Sequence, residues 1–346
     1  MNPSMAVPDG RIPSLDGLRA ISILLVIVAH LSKRQSGPMI LLSSFGVHVF
    51  FVLSGFLITT LLQSEYERHG RISLAGFYRR RCFRIFPAAF TYIFLVALLF
   101  PSSRSGLPYA ITYTVSYHYW GTPLLFRHLW SLSVEEQFYL LWPLALVLAF
   151  RFRARIAWIA MIAAAACRLA FWLNPSAATI AYLHTSFPGT MDSVAAGCLL
   201  AIYWPQLRGR WQWMTESPAI VIAVPLTAWT IETVCWDGVP SIFFGIVPLL
   251  IASWVLLLVQ RRDRILNNPV AYAIGVLSYS LYLWQEPFTS ESKHSIVVSL
   301  LMLSTCAVAS YFLVEKPMLR AGKFFTSRAR RRKVYAGGIE PSMPII

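Results

Sequence analysis

Charge is what this chain has least of. Asp, Glu, Lys and Arg make up only 13% of its 346 residues, against about a quarter in an ordinary soluble domain. With 57% hydrophobic residues and a mean hydropathy of +0.58, too little polar surface remains to clothe a soluble fold of this size, and that class is excluded. Acidic residues are scarcer still, 15 against 30 Lys and Arg, for a net charge of +15. In a soluble protein such an excess would suggest nucleic acid. Here the basic residues lie between apolar runs, where they set membrane orientation, and no nucleic-acid partner is expected. Cysteine is limited to Cys82, Cys167, Cys198, Cys235 and Cys306. No CxxC or His/Cys metal spacing occurs among them, so neither disulfide nor metal is expected. The first apolar run, 15–32, lacks a following small-residue cleavage site and reads as a retained span. No internal repeat is evident.

What the chain has instead is a series of apolar runs of membrane length. A hydrocarbon core of about 30 Å needs roughly 20 residues of helix. Candidate spans are 15–32, 40–63, 87–101, 130–150, 156–173, 186–204, 218–235, 242–259, 270–288 and 295–314. The stretch 107–120, LPYAITYTVSYHYW, is ambiguous by composition. The excess of Lys and Arg in cytoplasmic loops resolves it. With a cytoplasmic N-terminus and no crossing at 107–120, 24 of the 30 basic residues fall on the inner side. A crossing there would turn RFRAR, RRDR and the basic tail outward. The expectation is an all-α, polytopic membrane protein with about ten transmembrane helices and both termini cytoplasmic. Residues 1–14 form a short cytoplasmic segment and 15–320 the membrane domain. Residues 321–346 form a basic, disordered cytoplasmic tail lying against anionic headgroups. No room is left for a further soluble domain.

Ionisable groups within spans are costly and usually face a cavity or a partner. Three clusters matter. In LDGLRAISILLVIVAH, Arg19 and His30 lie eleven residues apart, about 16 Å along a helix and nearly on one face. Arg19 is then at the cytoplasmic end and His30 deep toward the far side. The alternative is a snorkelling Arg and a hydrogen-bonded packing His. In FYRRRCFRIFP, Arg81 and Arg84 share a face of a cytoplasmic amphipathic stretch that ends at Pro87. Guanidinium forks suit phosphate, although plain membrane anchoring would also place arginines there. In WSLSVEEQFYLLWP, Glu135 and Glu136 lie near the outer mouth beside Trp130. Adjacent residues point about 100° apart, so only one of the two can face a given target. An encounter of that one with His30 is geometrically reasonable, and it would suit acid–base work. Further polar signals are His48, Ser54 and Gly55 in GVHVFFVLSGF, Asp192 in MDSVAAGCLLA, and Gln285 and Glu286 in LSYSLYLWQEPF. Small residues such as Ser54 and Gly55 allow close helix approach.

Taken in order and spacing, these segments resemble the acyltransferase 3 family of integral membrane O-acyltransferases. The resemblance runs from LDGLRAISILLVIVAH through GVHVFFVLSGFLI, FYRRRCFRIFP, HLWSLSVEEQFYLLWP, MDSVAAGCLLA and LSYSLYLWQEPF to VEKP. It implies about ten spans. It also implies transfer of an acyl group, usually acetyl, from cytoplasmic acyl-CoA to a hydroxyl outside. The acceptor would be a glycan, a lipid-linked sugar or a small molecule, as in polysaccharide modification at a bacterial cytoplasmic (inner) membrane. The family's Arg-x10-His pair falls on Arg19 and His30, its Arg-x-x-Arg on Arg81 and Arg84, and its carboxylate after Trp-Ser-Leu on Glu135. Two departures stand out. Many members carry an Arg shortly before the acid at Asp192, where this chain has Thr190 and Met191. Many also carry His where Gln285 stands.

On this reading Arg19, Arg81 and Arg84 hold acetyl-CoA, and His30 is general base or acyl carrier with Glu135 supporting it. Trp130, Glu136 and Asp192 contact the acceptor, and no metal is required, because a thioester is already activated. The rival is a proton-coupled transporter exporting a small acid or acylated metabolite, since intramembrane His, Arg and Glu also suit proton coupling. Against it stands the lack of an inverted repeat.

Overall fold

Long apolar runs with few breakers become long helices. The computed structural model describes residues 14–32, 37–173, 182, 184–236, 245–261, 265–290 and 294–325. Among them the ten long helices are α1 (Leu15–Leu31), α2 (Gly37–His69), α3 (Leu74–Leu99), α4 (Trp130–Ala149), α5 (Arg153–Leu173), α6 (Phe187–Leu207), α7 (Pro218–Trp236), α8 (Ile246–Arg261), α9 (Pro269–Trp284) and α10 (Ile296–Ser310). No strand occurs among the described residues, so the all-α class stands. Most of the N-terminal segment and nearly all of the basic tail lie outside the described residues. Three helices, Met39–His69, Leu74–Leu99 and Ile296–Phe325, are long and apolar enough to cross a membrane by length and composition. Others are short for that: α1 has 17 residues and α8 and α9 have 16 each. Large apolar side chains such as Leu148 and Leu313 are 76% exposed, as suits a surface facing hydrocarbon. The chain is an integral membrane protein.

Local chemistry sets the helix ends. Ser73 caps α3 by accepting from Gly76 N, and Asn268 caps α9 by accepting from Val270 N and Ala271 N, with Pro269 in the first turn. The basic segment expected to stop at Pro87 does not stop there. Leu74–Leu99 is one helix with Pro87 inside it. Membrane-type helices tolerate such a proline where neighbouring helices satisfy the freed backbone groups, and Tyr279 of α9 donates to the Ile85 carbonyl at 2.8 Å.

Packing rests on close helix crossings. α2 packs on α1 and α6, α6 on α5, and α1 on α9. At the α2–α6 crossing two glycines face each other's backbones. A Cβ on Gly55 would stand 2.0 Å from the Val194 carbonyl oxygen, and one on Gly197 2.0 Å from that of Val52. The small residues of α2 therefore do what their size allows.

The segment between α3 and α4 forms no long helix. It runs through short turns, including Leu107–Ile111 and Leu124–Arg127, and folds into the helix body. Tyr113 packs on Phe86 and Phe90 of α3, with ring centroids 5.6 and 6.4 Å apart. Tyr117 donates to Gln137 at 2.6 Å, and Tyr92 donates to the Leu125 carbonyl at 2.6 Å. Consequently α4 starts inside the protein: the Ser131 hydroxyl meets that of Tyr282, 13 residues into α9, at 2.7 Å. This corrects the expectation that Glu135 and Glu136 stand at an outer mouth. They lie deeper, opposite the middle of α2.

Candidate active site

α1 carries Arg19 and His30 into two different polar surroundings. At the Arg19 end, Arg84, Asp16, Tyr139 and Glu135 are its electrostatic neighbours, with Asp16 at 4.0 Å. Arg81 lies over the Tyr139 ring at 5.0 Å and close to Arg84, Glu135 and Glu136. The single helix through Pro87 thus turns Arg81 and Arg84 inward toward α1. Ser54 of α2 donates to Glu135 at 2.6 Å and lies 3.2 Å from the Tyr139 hydroxyl. A one-turn widening of the helix after α10, Tyr311–Glu315, carries Glu315 to this end, where it accepts from Ser280 at 3.0 Å. Among the described residues no carboxylate stands within ion-pair distance of Arg81 or Arg84. Clustered guanidiniums without carboxylate partners are suited to an anion.

His30 is differently held. Its Nδ1 lies 2.8 Å from the Val26 carbonyl. A carbonyl only accepts, so Nδ1 carries the hydrogen and the neutral ring keeps its lone pair on Nε2. That nitrogen faces Glu286 Oε2 at 3.8 Å, while Ser290 donates to the other carboxylate oxygen at 2.7 Å. The carboxylate beside His30 is therefore Glu286, not Glu135. Glu135 is engaged by Ser54 and lies among the arginines, because α4 begins deep and faces the Arg19 end. His128, in the turn before α4, lies beside His30. It is buried between the rings of Tyr92 and Tyr282, at 5.4 and 5.5 Å, and Tyr282 donates to its carbonyl.

The remaining expected residues are dispersed. Trp130 packs edge-on against Phe51 at 6.0 Å, and Phe51 in turn against His48. Asp192 is buried and bound by Arg168 of α5 at 2.5 Å, with a second Arg168 bond to the Gly189 carbonyl at 2.7 Å. A guanidinium from the neighbouring helix thus meets the acid although Thr190 and Met191 precede it. His48 and Glu232 form a further imidazole–carboxylate pair at 3.5 Å. Glu136 points toward Tyr113 and Cys82, away from the Ser54 contact of Glu135, as a 100° step demands.

Two polar ends joined by one helix, guanidiniums at the first and a poised imidazole at the second, define a membrane acyltransferase. The comparisons give its family. A profile described as an acyltransferase domain matches residues 12–314, and the chain belongs to this acyltransferase 3 family. O-acetyltransferase OatA of Staphylococcus aureus (strain MRSA252) is 28% identical over 94% of this chain and 60% of its own length. The putative peptidoglycan O-acetyltransferase YrhL of Bacillus subtilis (strain 168) is 27% identical over 92% and 56%. A putative O-acetyltransferase of S. aureus (strain COL) is 31% identical over 79% and 50%. The chain therefore spans about half to three fifths of the length of these relatives. No solved structure gives a significant match.

Proposed function

We propose that this protein moves an acetyl group from cytoplasmic acetyl-CoA to a hydroxyl of a glycan on the far side of a bacterial cytoplasmic membrane. The ten long helices cross the bilayer, with both termini inside. Family membership and relatives named O-acetyltransferases support the reaction class, and the relative named for peptidoglycan supports a glycan acceptor. The observation that carries the reading is His30, whose Nε2 is left free by the Nδ1 contact to Val26 and is flanked by Glu286.

Arg81, Arg84 and Arg19 hold the donor's phosphates, and Glu135 keeps Arg19 and Arg81 in place. The acyl-bearing arm runs beside α1 toward His30, and the acceptor enters past the 101–129 segment and Trp130. His30 Nε2 takes the hydroxyl proton as the oxygen bonds to the thioester carbon. The carbon–sulfur bond then breaks, and the proton passes from the imidazolium to the departing thiolate. Glu286 stabilises the imidazolium while it exists.

Membranes supplied with labelled acetyl-CoA test this by mass spectrometry. Wild type should yield a labelled ester, and His30→Ala should yield none at equal protein level. Full activity in His30→Ala would remove that residue as base. Movement of solute without any new ester would make the protein a carrier.

A further inference from the structure

Two buried polar atoms between the arginines and His30 have no use in the scheme so far. The Tyr113 hydroxyl and Glu136 Oε1 are both shielded from solvent, and neither makes a hydrogen bond among the described residues. They are electrostatic neighbours of each other and of Tyr279. Leaving such groups unsatisfied is expensive, so a missing partner is indicated. Tyr113 also has φ of +54°, a left-handed conformation unusual for a bulky residue. Strain of this kind persists where surrounding contacts over-determine it, and it clusters at ligand clamps. Here Thr114 N donates to the Tyr109 carbonyl at 3.0 Å, and Gln137 bonds Ser116 and Tyr117. The turn is therefore pinned with its phenol facing inward.

We propose that Tyr113 and Glu136 clamp a secondary amide of the donor's pantetheine arm, an assignment that rests on the acyl-CoA reading above. A phenol donates and a carboxylate accepts. An amide offers the complement, a carbonyl on one edge and an N–H on the other. A ligand satisfying both needs one partner from each wall. Tyr113 comes from the segment packed on α3, and Glu136 from α4.

Depth along the passage agrees. Tyr279, neighbour to both groups, donates to Ile85, the residue after Arg84. Three residues further along α9, Tyr282 meets Ser131, and seven residues beyond Tyr279, Glu286 faces His30. Seven residues of helix rise about 10 Å. The clamp thus lies beyond the guanidiniums and about that far short of the imidazole, where an extended arm with phosphates at one end and thioester at the other carries its amides.

Equilibrium binding of CoA and of 3′-phosphoadenosine 5′-phosphate, which lacks the arm, to the purified full chain tests the clamp. Tyr113→Phe and Glu136→Leu should each weaken CoA about 3- to 10-fold, the effect of one hydrogen bond, and leave the nucleotide unchanged. Without ligand, neither variant should melt below wild type, because each removes a buried polar atom that has no partner. Unchanged CoA affinity in both variants would mean that only an ordered water fills the gap and would overturn the proposal. Parallel loss of both ligands, or lowered ligand-free stability, would make the residues structural and overturn it equally. A wild type that binds neither ligand would instead remove the acyl-CoA reading itself.

Discussion

The tautomer of His30 follows from a single contact. Because Val26 can only accept, the hydrogen sits on Nδ1, and Nε2 meets Glu286 at 3.8 Å, too far for a hydrogen bond in the neutral ring. Protonation of Nε2 would turn that gap into a charge-assisted contact, so the carboxylate acts mainly after the proton has moved. Glu135 sits with Ser54, Arg19 and Arg81, where its charge bears on donor binding. The two carboxylates therefore separate kinetically. Glu286→Gln should lower kcat about 10- to 100-fold, part of what a general base contributes, with the acetyl-CoA KM within about twofold. Glu135→Gln should chiefly raise that KM. Steady-state kinetics with varied acetyl-CoA measure both, and the reverse pattern would return Glu135 to the imidazole.

Apolar length and basic loops were enough to read the helices: spans such as 130–150, 156–173 and 218–235 agree with α4, α5 and α7 to within a few residues. What composition could not show was which faces meet. Pro87 reads as a boundary in sequence, yet a tyrosine from α9, 192 positions away, supplies a bond beside it. The 107–120 stretch is too polar for a span and too aromatic for an ordinary loop, and only its contacts with α3 and α4 reveal its depth. Glu286 was visible as a polar group near the outer end of the ninth span, but its pairing with His30 joins residues 256 apart. His128 stands inside the motif HLWSL and gave no separate signal. The α2–α6 crossing was more legible, through Gly55, and it can be tested. Gly197→Ala puts a methyl 2.0 Å from the Val52 carbonyl oxygen, where backbone must move. Such overpacking costs about 1–3 kcal/mol, and the variant should melt lower in detergent. An unchanged melting temperature would mean that α2 and α6 lie further apart.

At the scale of the molecule, the question is which side each polar end faces. A thioester held by one face can meet an alcohol from the other only if the arginine end is cytoplasmic and the 101–129 segment extracytoplasmic. The basic loops give that orientation, with Arg71 between α2 and α3 and Arg151 between α4 and α5 on the inside. In a cysteine-replaced background, a membrane-impermeant thiol reagent applied to intact cells should label Ser102→Cys. It should label Arg71→Cys and Arg151→Cys only after permeabilisation. All three residues are exposed, so the contrast reports sidedness rather than burial. Labelling of Arg71→Cys in intact cells would put the guanidiniums outside, where no cytoplasmic coenzyme reaches them. Because α4 begins inside the protein, the acceptor has only part of the membrane depth to travel, and the donor's arm covers the rest. One helix with an arginine near one end and a histidine near the other is then long enough to join both substrates.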